Sequence, residues 1–596
     1  MSPFKTIVHE ADLCIVGGGI SGLCAAVSAA RHGARVILMQ ERPMLGGNAS
    51  SEIRMWVCGA HGKNNRESGL IEEMMLENYY RNPSKNYSVW DGILYGLARY
   101  QPGIELLLNC TCNACEMDGN RIVSVTGWQL TTQSFHTVRA AIFADCSGDS
   151  VLAPLTGADF RIGREARAEF GEDIGPEEAD LKTMGMSCIM QAREETFPSE
   201  FIPPEWAYHY TREDLLPHRV PRLEYISENF WYLELGGNQD SIADTETLRD
   251  ELLKTAYGVW DFVKNAPENK EKYVNWRLDW MGILPGKRES RRYLGDHIMT
   301  QNDICAEGRF DDLVAYGGWP MDDHDPMGFL TKGYPNVNYP APSPYGIPYR
   351  SLYSRNIENL MFAGRNISVT HAAMSSTRVM ATCGTIGQAM GTAAAIAIRD
   401  GLTPRGVYEQ RIDELKQTLM EDDCYLPFNR RAVPALTGEA TLVCSAPDRE
   451  NLRNGYDRPI GEDDNGCLIP LGEAVTYEFG RTAHVGRVRL ILDSDLNRET
   501  LPENSWYLNM LNNRPLSFQN TPVPVTMLKG YRLEGVTPDR ETVVLYETAN
   551  NYQRLNFIDI DRPLTALSLI PLSTWGKEAC HLFSFDVSEK SSAPTF

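Results

Sequence analysis

The chain has fewer positively charged than negatively charged residues. It carries 57 Lys and Arg against 79 Asp and Glu, a formal net charge of −22. Nucleic acids and anionic membranes are bound through basic patches. We therefore expect neither a nucleic-acid nor a membrane partner. The balance does not bear on the charge of a small substrate, because a local basic pocket can lie in an acidic protein.

Long apolar runs are missing as well, since Gly or a charged residue interrupts each of them. A membrane-spanning helix needs about 20 predominantly apolar residues, so we expect none. Residues 1–11 lack the basic start, apolar run and small-residue cleavage site of a secretory signal. The expectation is a cytoplasmic protein, unless a leader has been removed.

Metal-binding patterns are also absent. The 14 cysteines are scattered, and the cluster Cys110, Cys112 and Cys115 has no second Cys pair or His pair at zinc spacing. Free cysteines of this kind are most often small buried side chains in a reducing compartment. We expect no metal site.

What the chain does have is a β–α–β unit near its start. The run 12–16 predicts a buried strand, 23–32 an Ala-rich helix and 35–40 a second, parallel strand. Such a unit places the end of the first strand and the start of the helix around one turn. The turn between them is therefore the first place to look for a binding site.

That turn carries the spacing Gly17-x-Gly19-x-x-Gly22. Gly17 permits the tight turn, Gly19 lets the backbone approach a pyrophosphate, and Gly22 lets the helix pack close to the sheet. The helix then opens with Ile20 and Ser21, whose backbone N–H groups are available to negative phosphates. The pattern predicts a dinucleotide-binding site.

An acidic residue at the end of the second strand is expected to bind the ribose hydroxyls. Glu41 is the only acid at that spacing and is the first choice. Gln40 points to the other face of the strand and stays a second candidate, with Arg42 beside them. The sequence leaves open whether Gln40 assists Glu41.

Three later segments indicate which dinucleotide this is. Residues 43–51 contain the glycine pair Gly46 and Gly47, residues 144–149 are a short strand with a small-residue turn, and residues 360–366 are a strand followed by a turn. In this order they resemble the FAD-binding segments of the glutathione-reductase-like flavoprotein superfamily. The resemblance implies FAD, with a helix beginning near 384–387 aimed at the electron-rich edge of the flavin.

Together with Arg288-Glu-Ser-Arg-Arg292, these segments resemble a bacterial family of FAD-dependent oxidoreductases over about residues 10–420. That family has no single settled substrate, and many members carry an extra C-terminal β-domain. The cofactor-binding residues predicted here are Gly17, Gly19, Ile20, Ser21, Gly22, Gln40, Glu41, Arg42, Gly46, Gly47, Asn48, Ala49, Ser50, Cys112, Ser147, Gly148, Asp149, Gly364, Arg365, Asn366 and Gly387.

The fold class predicted from these patterns is α/β. A Rossmann-like FAD-binding domain (1–160 and 351–430) contains an inserted α+β substrate or cap domain (161–350), which is rich in Trp, Tyr and Pro. From about residue 436 to 596, short alternating runs with turn residues between them predict a C-terminal β-sandwich domain.

Four residues are candidates for the reacting centre. Arg54 and His61 follow the second glycine pair, and His61 lies in a glycine-flanked loop, where catalytic groups often gather. The resemblance places His371 near the flavin. Arg288 belongs to a dense charged cluster that either ties the cap to the FAD domain or orients a polar substrate. The acidic, aromatic run 319–325 is either an acid/base or metal site or a hydrogen-bonded loop.

Two further absences restrict the reaction. No Cys-x-x-x-x-Cys pair follows the first glycine motif, so disulfide-reductase chemistry is not expected. No second clean Gly-x-Gly-x-x-Gly provides a resident NAD(P)H domain. Electrons are expected to leave to a separate acceptor of unknown identity, or to a nicotinamide that visits the site.

The leading hypothesis is an FAD-dependent dehydrogenase that oxidises a CH–OH group of a polar small molecule, such as a sugar or polyol, with His61 or His371 as base. One alternative is a fumarate-reductase-like C–C reductase or desaturase, in which Arg54 or Arg288 donates the proton. Another is a glycan-binding protein with a structural flavin. The aromatic residues Trp506, Tyr507, Tyr531, Tyr552 and Trp575 suit a glycan, while packing or homo-oligomerisation is the plainer role of that region.

Overall fold

The computed structural model describes residues 4–501 and 510–590. The chain forms two compact units, and neither is one contiguous stretch. The first comprises Met1–Ala60, Lys85–Ile412 and Tyr507–Gln519. The second comprises His61–Ser84, Asp413–Trp506 and Asn520–Phe596. The division into four sequence segments stays a prediction.

The first unit is built on a five-stranded parallel sheet. In spatial order its strands are Leu360–Phe362, Ile142–Asp145, Leu13–Val16, Val36–Met39 and Ile104–Leu107. Four of them are apolar and buried along their length, as expected when both faces of a parallel sheet are covered. Leu13–Val16, the first of these five strands in the chain, is central, and later strands are added on both sides of it. The topological switch point therefore lies at the carboxyl end of Leu13–Val16.

Two helices pack against each other on this sheet. They are Ile20–Arg31 and Met380–Asp400, the second preceded by the short helix His371–Thr377. Residues 378–379 separate this short helix from Met380–Asp400. Met380–Asp400 is long and apolar enough to cross a membrane, but 94% of its apolar window is buried inside the protein. It is a core helix of this unit.

A four-stranded sheet lies beside the parallel one. Its order is Thr6–Glu10, Ser134–Arg139, Arg121–Gln129 and Cys110–Asp118. The short runs at 104–109, 121–129, 135–138 and 141–145 predict one β-meander. For 104–109 and 141–145 this prediction is wrong, because the strands Ile104–Leu107 and Ile142–Asp145 belong to the parallel sheet. A helix, Tyr87–Arg99, precedes the strand Ile104–Leu107. Because a crossover helix returns the chain in the same direction, this strand pairs in parallel with Val36–Met39.

Residues between the parallel strands Ile142–Asp145 and Leu360–Phe362 form small antiparallel pairs and a long helix, Thr245–Asn265. The paired strands are Phe160–Arg161 with Arg292–Tyr293, Glu234–Leu235 with Met186–Ser187 and Gly286–Lys287, Met190–Glu194 with Trp276–Met281, Leu313–Gly317 with Tyr345–Pro348, and Met321–His324 with Asn336–Tyr339. Shorter helices are Leu152–Thr156, Arg167–Phe170, Arg212–Leu215 and Gln301–Cys305.

The second unit contains a seven-stranded antiparallel sheet, so the predicted C-terminal β-rich region is confirmed. Its strands are Cys467–Pro470, Ala579–Glu589, Val475–Leu492, Leu555–Thr574, Leu528–Val536 and Thr542–Thr548 in order, with Thr441–Val443 on Val475–Leu492. Val475–Leu492 is one long strand, with a register shift against Leu555–Thr574 between Glu478 and Ala483. The two-layer sandwich stays a prediction, and Trp506 and Tyr507 lie outside the described residues.

The second unit also takes the segment 61–84, which forms the helix Leu70–Arg81. Glu72 of this helix is buried and pairs with buried Arg498 at 2.6 Å. Ala435–Glu439 is a further short helix. A longer helix, Pro404–Glu421, precedes it in the chain.

Candidate cofactor and substrate site

A cavity of about 870 Å³ lies within the first unit, at the switch point of the parallel sheet. Open α/β sheets bind ligands at this place. Most of the predicted cofactor-binding residues line it: Gly17, Gly19, Ile20, Ser21, Gln40, Glu41, Arg42, Gly46, Gly47, Asn48, Cys112, Ser147, Gly148, Asp149, Gly364 and Arg365. Residues from four separate parts of the chain are thus brought to one cavity.

The glycine turn has the geometry that a phosphate ligand needs. Gly17 has a φ of +105°, and a Cβ on it would lie 2.4 Å from the backbone of Cys146. A Cβ on Gly22 would lie 1.9 Å from the Gly17 oxygen, whereas one on Gly19 would meet no protein atom within 4 Å. The helix that follows has no side-chain cap and no acid in its first turn. Its N–H groups therefore suit an anion in the space beside Gly19.

The two ribose candidates have different surroundings. Gln40 is buried; its side-chain oxygen accepts from the Gly18 N–H at 2.7 Å, and its amide donates to the Met44 carbonyl at 3.0 Å. Glu41 is 60% exposed, with only a 3.8 Å contact to Arg42. Gln40 therefore holds the glycine loops together, and Glu41 is the better placed to accept from ribose hydroxyls.

The second glycine pair packs against the first turn. Gly46 has a φ of +100° and donates its N–H to the Gly18 carbonyl at 2.8 Å. A Cβ on Gly47 would lie 3.2 Å from the Gly19 Cα. Ala49 and Ser50 do not line the cavity. The Ser50 hydroxyl donates to the Gly47 carbonyl at 2.7 Å, so these residues stabilise the turn.

Asp149 connects three segments of the cavity wall. It accepts from Lys287 Nζ and from Arg365 Nη2, each at 2.8 Å, and from the Ser290 hydroxyl at 2.8 Å. Burial opposes ionisation, but Arg365 and Lys287 outweigh it and lower the pKa of Asp149. The carboxylate fixes these two cations in place beside Gly148.

Three further predicted cofactor residues pack against protein atoms and do not line the cavity. Gly22 and Gly387 make room for neighbouring backbone: a Cβ on Gly387 would lie 2.1 Å from the Ser21 oxygen. Gly387 is in the second turn of its helix, which begins at Met380 and not near residue 384 as predicted. Asn366 is buried, and its amide donates to the Ser150 hydroxyl at 3.3 Å.

The structure corrects the role predicted for His371. Its Nδ1 is 2.9 Å from Glu289, its Nε2 is 3.0 Å from Asp323, and it does not line the cavity. Burial alone would lower its pKa, but the two carboxylates raise the pKa of His371 to about 10. Because it does not line the cavity, His371 is a positioning residue between two acids and not the base.

Arg54 is likewise engaged away from the cavity lining. Its guanidinium lies over the rings of Tyr87 and Trp280, at 4.8 and 4.3 Å, and donates to Gln191 at 2.7 Å. Burial lowers the pKa of Arg54. Since its faces and one edge are occupied by protein groups, packing accounts for Arg54 better than proton donation does.

His61 is the first residue of the second unit. It is half-buried, and burial lowers its pKa. Its predicted role as a base stays a prediction.

Arg288 does line the cavity, as one end of a row of charges. It lies 3.4 Å from Glu234, which is 2.6 Å from His324 Nδ1. His324 Nε2 is 3.3 Å from Asp322, which accepts from Arg378 Nη2 at 3.0 Å. Burial would lower the pKa of His324, but Glu234 and Asp322 outweigh it and raise that pKa.

The sequence indicated only part of this row. Asp322 and His324 fall in the run 319–325, for which an acid/base site was one of the interpretations. Glu234 had no such signal, because it reaches the row from an element far away in the chain. Within residues 4–501 and 510–590, no group of three or more His, Cys, Asp or Glu is placed to hold a metal ion.

Residues 12–419 match the FAD dependent oxidoreductase family, and the chain belongs to that family. The match covers the glycine turn, the cavity and the charged row. The cofactor is FAD, and the open space at Gly19 beside uncapped helix N–H groups fits its diphosphate.

Comparison with curated proteins found no match. Among solved structures, an anhydrotetracycline hydroxylase from Streptomyces rimosus is 13% identical, with 69% of this chain and 66% of that chain covered and a TM-score of 0.32. A geranylgeranyl bacteriochlorophyll reductase-like protein from Thermoplasma acidophilum is 12% identical, covering 70% and 85%, with a TM-score of 0.30.

A family 32 carbohydrate-binding module of Streptococcus pneumoniae EndoD is 15% identical over 26% of this chain and 98% of that chain, with a TM-score of 0.19. At such scores these likenesses identify neither a fold nor a substrate for this chain.

Proposed function

We propose that the protein is an FAD-dependent dehydrogenase that oxidises a CH–OH group of a polar small molecule of the sugar or polyol kind. One observation carries the proposal: the cavity lined by the cofactor loops is also lined by members of the charged row that begins at Arg288, and by the aromatic side chains of Trp231 and Trp319. When bound, FAD supplies the two-electron acceptor. The parallel sheet and its glycine turns also support placing the chain in the glutathione-reductase-like superfamily.

The cavity lining outside the glycine loops suits a hydroxylated substrate. Trp231 and Trp319 belong to it and offer apolar ring faces. Asn336 and Asn338 line the cavity from one strand, and Ser187 lines it as well. Amide and hydroxyl groups both donate and accept, which is what sugar hydroxyls require. These residues bind and orient the substrate.

His324 is the group we assign as base, in place of His371. It lines the cavity, and its Nε2 contact to Asp322 is long at 3.3 Å, while Nδ1 is held by Glu234 at 2.6 Å. In its neutral form His324 takes the hydroxyl proton at Nε2, and Glu234 orients the ring. Because both acids raise its pKa, the neutral form gains population as pH rises above the ordinary range for His.

The test is anaerobic reduction of the FAD-loaded protein, followed by loss of the flavin absorption. We expect some polyols or sugars to bleach the flavin, faster at higher pH, and His324→Gln to slow bleaching by about 10²-fold or more. His209→Gln is the matched control, since that side chain is 75% exposed. A protein that binds no flavin, or that no alcohol reduces, would contradict the proposal.

A C–C bond reductase is the second candidate, and Arg288 favours it. Burial lowers the pKa of this cavity-lining arginine, which makes it a better proton donor. Reoxidation of chemically reduced flavin by enoates, with no bleaching by alcohols, would select this reaction. A cytoplasmic location and a separate electron acceptor remain part of the proposal, as does the lack of nucleic-acid or membrane partners.

A further inference from the structure

We propose that the substrate is an anion: a hydroxy acid or sugar acid whose carboxylate is bound by Arg288 and Arg378. This names the substrate class for the proposed function and rests on it. The two arginines are the ends of the charged row, and both line the cavity.

The row alternates in charge and ends in a cation on each side. In order it runs Arg288, Glu234, His324, Asp322 and Arg378, with contacts of 3.4, 2.6, 3.3 and 3.0 Å. Its members are nearly buried, with side-chain exposures between 1% and 13%. Arg288 and Arg378, the two fixed cations of the row, thus both lie at the cavity wall.

Buried cations that lie near each other are costly without an anion. Burial lowers the pKa of Arg288, and the nearby charge of Arg378 adds to that effect although Glu234 opposes it. A carboxylate brought to the two arginines relieves this repulsion. The pair therefore favours an anionic substrate over a neutral sugar.

Arg378 has donors to spare. Its Nη2 donates to the backbone and side-chain oxygens of Asp322, at 3.1 and 3.0 Å. Its Nε is buried and has no hydrogen-bond partner in the described part of the chain. A guanidinium has five N–H donors in a planar fork that matches a carboxylate. The unused edge is what an incoming carboxylate needs.

Three other cations at the cavity are paired with carboxylates, and Arg291 donates to the Asp149 backbone carbonyl at 3.2 Å. Lys287 and Arg365 both bind Asp149 at 2.8 Å. Arg42 has Glu41 and Glu52 within 3.8 Å. The cofactor diphosphate is expected at the glycine turn, so it does not neutralise the row. The anion at Arg288 and Arg378 is therefore assigned to the substrate.

The experiment compares matched pairs on the FAD-loaded protein under anaerobic conditions: galacturonate with galactose, gluconate with glucitol, and lactate with 1,2-propanediol. For at least one pair, we expect the acid to reduce the flavin with a kcat/KM at least tenfold higher than that of its neutral partner. The advantage should arise in KM and should disappear in Arg378→Gln and Arg288→Gln. Arg378→Lys should retain part of it, because the charge remains.

A second readout does not depend on turnover. Propionate, but not propionamide, should shift the flavin absorption of the wild type, and the shift should be lost in Arg378→Gln. Arg167→Gln is the matched control. That arginine does not line the cavity, is 49% exposed and pairs with Glu177, so its removal should leave both readouts unchanged.

Equal use of acids and neutral partners, or an acid preference that survives in both Gln variants, would overturn the inference while leaving the dehydrogenase proposal standing. If no alcohol of either class reduces the flavin, the dehydrogenase proposal fails, and the propionate shift still decides whether the anion site exists. Flavin content and melting temperature identify a variant that does not fold. In that case the Lys variant at the same position is compared instead.

Discussion

Gly19 and Gly22 are three residues apart, yet an added methyl group would have opposite effects at the two positions. At Gly19 the methyl would meet no protein atom within 4 Å and would project beside the uncapped helix N-terminus. At Gly22 it would lie 1.9 Å from the Gly17 oxygen, inside the turn itself. The first residue is thus kept small for the cofactor, and the second for the fold.

We therefore expect Gly19→Ala to weaken FAD binding by about 10- to 100-fold while the stability of the apoprotein changes by less than about 0.5 kcal/mol. Gly22→Ala should destabilise the apoprotein by about 2 kcal/mol or more. Flavin titration and thermal unfolding of the apoprotein measure the two effects. Loss of apoprotein stability in Gly19→Ala would show that the space beside Gly19 is not reserved for a ligand.

His371 gives a prediction about pH. Its pKa is raised to about 10 by Glu289 and Asp323, against about 6.5 in the unfolded chain. A raised folded-state pKa gives stability that is fully present below pH 6.5 and is lost as pH rises toward 10. His371→Gln should lower the free energy of unfolding by about 3 kcal/mol near pH 6. The difference from wild type should shrink as pH approaches 10.

Unfolding of the apoprotein by urea at several pH values measures this difference. His484→Gln is the control, because that side chain is 51% exposed and its pair with Asp561 contributes little. A difference that stays constant between pH 6 and pH 10 would show that His371 is not held as an imidazolium.

At the scale of elements, the pair of helices Ile20–Arg31 and Met380–Asp400 connects the cofactor turn to the core. The pair depends on Gly387 and Gly391, where a Cβ would lie 2.1 Å from the Ser21 oxygen and 2.2 Å from the Ala25 oxygen. Larger residues would push the helices apart along their contact. Ser21 lines the cavity, so a shift at Gly387 reaches the site directly, whereas Gly391 is one turn further along the helix.

Gly387→Ala should therefore lower both the melting temperature and the affinity for FAD, and Gly391→Ala mainly the melting temperature, each by about 2 kcal/mol in stability. Gly92→Ala serves as the control. Gly92 is exposed in the helix Tyr87–Arg99 with open space around it, so Ala should stabilise that helix by up to about 1 kcal/mol. Equal effects of all three changes would contradict the close packing.

Local pattern predicted those elements whose partners follow closely in the chain. The first strand, its helix and the next strand were found within a few residues, because the turn and both strands belong to one β–α–β unit. The place of Ile104–Leu107 was missed, since it depends on a helix that was not predicted. Glu234 was missed for a related reason: only the folded chain brings it to His324.

At the scale of the whole molecule, the chain passes between the two units more than once. The second unit takes residues 61–84 from the early part of the chain. Within it Glu72 and Arg498 are buried and lie 2.6 Å apart. Burial opposes ionisation of Glu72, but Arg498 outweighs it and lowers the pKa of Glu72. The C-terminal β-rich region therefore depends on a carboxylate that lies more than 400 residues earlier in the sequence.

A fragment that begins at residue 413 should consequently fold poorly, since Arg498 would be buried without its partner, at a cost of about 3–5 kcal/mol. In the full chain, Glu72→Gln should lower the stability of the second unit by a similar amount. Glu77→Gln is the control, because it breaks an exposed pair with Arg81 on the same helix. It should lower the stability by less than about 1 kcal/mol. Circular dichroism and thermal unfolding of the fragment and of both variants test this. Cooperative unfolding of the fragment near the wild-type temperature would show that the β-rich region does not need the helix Leu70–Arg81.

Because a depressed pKa gives stability that is lost as pH falls, the difference in stability between Glu72→Gln and wild type should be largest above about pH 4.3 and should shrink below it.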